Sequence, residues 1–207
     1  MASPMTLYLI RHGEVHNPRQ ILYGRLPRFR LSDSGRWQAR ECGKRLNGNG
    51  IDAIYSSPLL RARQTAEEII RRCGPNKLHI SSLLNEVYTA YEGRPGAEVD
   101  ARRGDIYTGV ADVYEQPEDI VRRALTFIRR VRSTASGGRV AAVTHGDVVT
   151  FMVLWAKGYA LTPGNKTRLL QTGYPEAYPA HASITTLTYE TAAVEEKPAV
   201  AYSRPWS

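Results

Sequence analysis

Two stretches of this 207-residue chain, Thr6–Ile10 (TLYLI) and Val140–Val143 (VAAV), are β-prone at nearly every position. A strand with one wet face alternates apolar and polar residues. An unbroken run belongs to a strand covered on both faces, which is how parallel sheets are built. Ile51–Tyr55 and Leu78–Leu84 predict shorter strands, and the β-branched Ser183–Tyr189 predicts another. Helical patterns lie between them. Ser57-Pro58 supplies an N-cap and a first-turn proline ahead of Leu59, Ala62, Ala66, Ile69 and Cys73 at helical spacing. Pro117 opens a second helix, striped by Ile120, Ala124, Ile128 and Val131 and closed by Gly137-Gly138. Asp33–Leu46 and a buried Asp147–Lys157 add two more. Strands alternating with helices predict an α/β domain, a three-layer sandwich with a mostly parallel central sheet. Tyr91–Glu115 and Tyr159–His181 lack periodicity and read as excursions, with a small loop and helix over the active site. The chain reads as one domain over residues 1–207, with its core at 5–190 and a loose tail at 191–207.

Composition bounds the class. Hydrophobic residues at 42% and charged residues at 23% fit a soluble globular chain and exclude collagen, coiled coil and low-complexity disorder. The longest apolar stretch, Val148–Ala156, is far short of the ~20 residues of a membrane helix. No secretory signal is readable before Arg11, and Cys42 and Cys73 make neither a disulfide scaffold nor a four-cysteine zinc site. The expectation is a cytoplasmic protein with reduced thiols and no membrane partner. The net charge of +8 points to an anionic partner. The pairs Arg71-Arg72, Arg122-Arg123 and Arg129-Arg130 sit on the polar backs of helices rather than with aromatics on one strand face, so nucleic acid is not the expected partner.

The two main strands end alike. Leu7–Ile10 runs into Arg11-His12-Gly13-Glu14, and Val140–Val143 runs into Thr144-His145-Gly146-Asp147. Ligands of open α/β sheets bind at the carboxyl ends of strands, so two His-Gly pairs delivered there would face one site. A glycine after each histidine would let backbone approach a ligand closely. Arg61 and Arg63 fall in the first turn of the helix after Ser57-Pro58, where they oppose the helix dipole. A helix N-terminus with an added guanidinium suits a phosphate, and Arg61 is the better placed of the two.

Four blocks in this order carry a resemblance. Arg11-His12-Gly13-Glu14 with Asn17, Ser57-Pro58-Leu59-Leu60-Arg61-Ala62-Arg63-Gln64-Thr65-Ala66, Leu84-Asn85-Glu86 and Thr144-His145-Gly146 closely resemble the histidine phosphatase superfamily, the phosphoglycerate-mutase-like group. Leu31-Ser32 with Gly35, Gln38-Ala39 and Ser183-Ile184-Thr185 extend the match over most of residues 5–190. The resemblance implies a metal-independent phosphatase, without cofactor, that hydrolyses a small phosphomonoester through a phosphohistidine. On matching positions His12 would be the nucleophile, Arg11, Arg61 and His145 would surround the phosphoryl oxygens, and Asn17 would add a neutral donor. Glu86 would protonate the leaving oxygen and then activate water, while Glu14 would orient the loop. Residues Val87–Gly93 match the family's pattern after the acid only at their tail. That keeps Asp147 as a reserve acid, its other reading being a helix N-cap.

Three alternatives stand beside this one. Mutase-type phosphoryl transfer would need more cations than Arg94, Arg102 and Arg103 in the excursion after the acid. A non-catalytic phosphate- or polyanion-binding module would have lost the nucleophile, which is present. Metal catalysis through His12, Glu14 and His16 lacks the later cysteine pair of a zinc deaminase and the helical His-Glu-x-x-His spacing. The basic segment Arg25–Arg30 reads either as a grip on a multiply phosphorylated substrate or as a solvated loop.

Overall fold

The computed structural model describes residues 4–73, 77–134, 138–191, 193 and 196–206. Its strands are β1 (Met5–Arg11), β2 (Ala53–Ser56), β3 (Leu78–Ile80), β4 (Arg139–Thr144), β5 (Ile184–Tyr189) and β6 (Ala199–Ser203). Its α-helices are α1 (Asp33–Leu46), α2 (Leu60–Cys73), α3 (Gly96–Ala101), α4 (Pro117–Thr134), α5 (Gly146–Ala156) and α6 (Pro163–Lys166). The strands form one sheet in the order β3-β2-β4-β1-β5-β6. β3, β2, β4 and β1 run parallel, and β5 runs against β1 and β6.

Successive β4 side chains explain the two coverings. Val140 and Ala142 pack with α4 and α5, through Ile120, Phe127, Val148 and Phe151. Ala141 and Val143 face the other layer, with Cys42 and Leu46 of α1 and Ala62, Ala66 and Ile69 of α2. The sequence reading of a strand buried on both sides is thus realised as a three-layer α/β arrangement. Cys42 is buried, Cys73 is half-buried, and both are free thiols.

Three expectations need correction. Residues 199–203 are not part of a loose tail: they add to β5 as an antiparallel edge strand, with Leu187 opposite Val200. Helix α2 begins at Leu60, two residues after Pro58, and it is the Leu59 carbonyl that accepts the first helical bond, from the Arg63 N–H at 3.1 Å. β3 covers only the first part of 78–84, and Ser82–Leu84 is a 3-10 turn. The proposed stop at Gly137 lies outside the described residues, while α1 has the expected limits, capped by Ser32 Oγ on the Gly35 N–H at 3.0 Å. Among the described residues, no helix is long and apolar enough to cross a membrane.

Candidate active site

Register brings the site together. Arg11 pairs with Thr144, and Ser56 pairs with Val143, so β1, β4 and β2 deliver His12, His145 and Ser57 side by side at one edge of the sheet. The His12 N–H reaches the Thr144 carbonyl at 3.0 Å and the Ser57 N–H reaches that of Val143 at 2.9 Å, which fixes the exits. β5 runs the other way, with Ile184 opposite Ile10, so its entry lies at the same edge. This places His181 beside the other two histidines, its ring 5.8 Å from that of His12.

Arg61 is the hub, fully buried at 0% exposure. Its Nε donates to His12 Nε2 at 3.2 Å, and its Nη2 donates to the Gly24 carbonyl at 2.7 Å. The same Nη2 lies 3.2 Å from His145 Nδ1 and 3.7 Å from Glu86 Oε2. The Tyr23 ring lies under the guanidinium at 4.6 Å. Hydrogen bonding sets both tautomers. His12 Nδ1 lies 2.8 Å from the Gly13 carbonyl, which only accepts, so Nδ1 carries the proton and Nε2 keeps its lone pair. Ser57 Oγ donates to Asn85 Oδ1 at 3.3 Å and therefore accepts from His145 Nε2 at 2.8 Å, leaving His145 Nδ1 bare toward Arg61. Burial first, then the Arg61 charge, holds both imidazoles well below their ordinary pKa.

Glu86 closes the edge of the cluster, 3.4 Å from His145 Nδ1 through Oε2 and with 14% of its side chain exposed. Burial pushes the pKa of its carboxyl above the ordinary value, more than the Arg61 charge draws it back. Its backbone is held from behind, where Arg25 Nε donates to the Glu86 carbonyl at 2.7 Å and Arg25 Nη2 pairs with Glu115 at 2.8 Å. One arginine of the basic 25–30 segment is therefore a brace for Glu86; Arg28 and Arg30 are exposed.

Asp147 differs from its sequence reading as a cap. His145 is the N-cap of α5, and Asp147 is buried in the first turn. Its carboxylate accepts from Tyr107, from Tyr178 at 2.7 Å and from Lys166 at 2.8 Å. Burial alone would raise it, yet Lys166 and the two phenols hold it below the ordinary carboxylate range.

Arg11 donates to the Pro179 carbonyl at 2.6 Å and lies 2.9 Å from His181 Nε2, above the Tyr178 ring. Its buried Nε has no hydrogen-bond partner among the described residues, a donor left open. The field of Arg11 and burial, the larger cause, bring the His181 pKa down to about 3. Asn17 does not join the cluster: its amide closes a local turn on the Ile21 carbonyl at 2.8 Å and N–H at 3.4 Å. Glu14 orients its loop as expected, accepting from Ser32 Oγ at 2.6 Å, while His16 and Arg63 are exposed.

The glycines serve the protein rather than a ligand. A Cβ at Gly13 would run into the Gly35 carbonyl, one at Gly35 into the Glu14 carbonyl, and one at Gly146 into the Tyr178 phenol. Gly35→Ala is expected to cost roughly 1–3 kcal/mol, because backbone must separate from backbone to admit the methyl. Urea unfolding of the variant measures this, and an unchanged midpoint would contradict the tight approach.

Donor atoms of His12, Glu86 and His145 lie within 4.8 Å of one another, a spacing that a cation could span. Arg61 already occupies that position electrostatically, with its N–H groups on both imidazole lone pairs, and repels a second positive charge. Sequence reasoning missed Ser57, His181, Tyr178, Lys166 and Arg25. For His181 a signal existed, since a histidine just before an antiparallel strand enters at the edge where the parallel strands exit.

Two bare imidazole nitrogens around a buried guanidinium, an unpartnered arginine donor and a carboxyl of raised pKa are the equipment of an anion-binding group-transfer centre. Residues 7–192 match the histidine phosphatase superfamily (branch 1), and the chain belongs to that superfamily. It is 32% identical over 217 aligned residues to the uncharacterized protein Rv0525 of Mycobacterium tuberculosis, covering 99% of this chain and 98% of that one. It is 30% identical to the uncharacterized phosphatase PhoE of Bacillus subtilis, over 68% of this chain and 72% of the relative. The solved structure of Bacillus stearothermophilus YhfR superposes with a TM-score of 0.78 at 26% identity, covering 98% of each chain.

Proposed function

We propose that this protein is a phosphatase that hydrolyses a small phosphomonoester through a phosphohistidine on His12. The observation that carries the reading is the His12 Nε2 lone pair, bare of a proton and held against Arg61 at 3.2 Å. In the first step Nε2 forms a bond to phosphorus as the ester P–O bond breaks, and Glu86 gives its proton to the departing alkoxide. Arg61, Arg11 and His145 exchange their present partners for the phosphoryl oxygens and hold the charge spread over them. In the second step the Glu86 carboxylate takes a proton from water, whose oxygen attacks phosphorus and frees His12. Inorganic phosphate leaves.

Glu86 fits the acid role better than Asp147, because burial raises the pKa of the first, while the second is held below the ordinary carboxylate range and fully hydrogen-bonded. Asn17 would need to give up its turn to donate to the phosphoryl group. Hydrolysis is favoured over mutase transfer by the state of the excursion's cations. Two of its three are committed, Arg94 to Glu98 at 2.5 Å and Arg102 to the Asp105 and Thr108 carbonyls at 2.8 and 2.9 Å, while Arg103 is exposed at the cavity. Phosphatase PhoE among the relatives points the same way.

The test compares an aryl and an alkyl phosphate, with chelator present, in wild type and Glu86→Gln. Alkyl phosphate hydrolysis is expected to fall by about 10²–10⁴-fold in the variant, and the aryl ester, whose phenolate departs unaided, far less. Equal losses on both esters would remove Glu86 from the acid role, and loss of wild-type activity to chelator would overturn the metal-independent route.

A further inference from the structure

The part of the substrate that departs has its own container. A cavity of about 670 Å³ opens beside Glu86 and Arg11, walled by Leu22, Val87, Val99, Ile106 and Ala177. Its size lies in the range of small-molecule pockets. Charged groups also reach it, and inside it they are committed to each other. The Lys166 ammonium is bound by Asp147 at 2.8 Å and by the Gly104 carbonyl at 2.9 Å, with the Tyr107 ring at 5.4 Å. Asp147 is filled by Lys166, Tyr107 and Tyr178. Arg11 and Glu86 belong to the phosphoryl end. At the exposed end of the lining stand Asp100, in α3, and Arg103 just after that helix, one negative and one positive charge. Among the described residues, the interior therefore offers no uncommitted cation to a second phosphate or a carboxylate, and it offers an apolar wall to something else.

Resting on the phosphatase reading above, we propose that the substrate is a phosphomonoester of a bulky, uncharged, largely apolar alcohol or phenol. Its phosphoryl group lies at His12, and its body is seated against Leu22, Val87, Val99 and Ile106. Burying that body supplies binding energy that a small polar alcohol cannot. A second anionic group seated deep against that wall would lose its water beside the Asp147 carboxylate, whose Lys166 partner is already committed.

The test is a series of straight-chain primary alkyl phosphates, from ethyl to octyl, whose alcohols are nearly equal in acidity, so that the chemistry is constant along it. The value of kcat/KM is expected to rise about two- to fourfold per methylene until the cavity is filled. Propyl phosphate should be a better substrate than the carboxylate-bearing 3-phosphoglycerate, and Val99→Asp should remove the dependence on chain length. A flat wild-type series would overturn the proposal. So would preference for 3-phosphoglycerate, and loss of that preference in Arg103→Ala would place an anion site at the mouth instead. Failure of the phosphatase reading looks different: no ester in the series is hydrolysed and no phosphate appears on His12, which takes both readings down.

Discussion

His12→Ala is expected to abolish phosphate release, a fall of at least about 10⁴-fold in kcat, as when other covalent nucleophiles are removed. No neighbour can replace it. His145 Nδ1 also carries a lone pair, but its ring is fastened by Ser57 at 2.8 Å, and Glu86 is needed as the acid. The variant should keep its fold, because the His12 ring makes only a local bond to the Gly13 carbonyl and accepts one from Arg61. It should also keep affinity for inorganic phosphate, since Arg11, Arg61 and His145 are all in place. Steady-state kinetics and calorimetric titration with phosphate check the two halves. A variant that binds phosphate and still turns over would mean that another group attacks phosphorus.

Arg61→Ala is the second large effect, with an expected fall of about 10²–10³-fold in kcat. One side chain here touches the nucleophile, the second histidine and the Gly24 carbonyl, and it lies 3.7 Å from the acid. Its loss should also move the pH profile. Burial lowers the His12 and His145 pKa values most, and Arg61 is the next cause for each, so removing it lets both rise toward 6.5. The nucleophile works only when Nε2 is unprotonated, so the acid limb of kcat/KM shifts to higher pH. Glu86 loses the cation that draws its pKa down, so its acid form persists further and the alkaline limb shifts to higher pH as well. Arg61→Lys keeps a charge without the planar fork and should recover part of the rate. Circular dichroism separates these effects from unfolding. A variant with reduced rate but unmoved limbs would reduce Arg61 to a packing residue.

How much of this was legible depended on how local the signal was. β1 and β4 were readable because burial on both faces leaves an unbroken apolar run, and their shared His-Gly exits pointed to one site before any fold was known. Helix α1 matched its sequence limits because Ser32 caps it locally. Arg61 was marked by its place in the first turn of a helix that follows a strand exit, whereas Glu86 emerged only through its surrounding block, since nothing in the spacing 61 to 86 says that both reach His145. The errors share a cause. β6 is specified by its pairing to β5, not by its own five residues, so it passed for a tail. Gly13 and Gly146 were correctly marked as places of close approach, but the approaching atoms belong to Gly35 and Tyr178. Lys166 and Tyr178 lie in an aperiodic excursion, where a sequence offers no face on which to place a side chain. Ser57 looked like a cap, and it does take the Leu59 N–H at 3.3 Å, yet its better contact is His145.

The central claim is that phosphate rests covalently on His12 during turnover. Rapid acid-free quenching of the enzyme with an activated aryl phosphate, followed by peptide mass spectrometry, tests it most directly. The account predicts an acid-labile phosphoryl group on the peptide carrying His12. It should accumulate at up to one per chain, be absent in His12→Ala, and disappear at the rate of phosphate release. A phosphoryl group on any other residue, or rapid turnover with His12 unmodified at every time point, would contradict it.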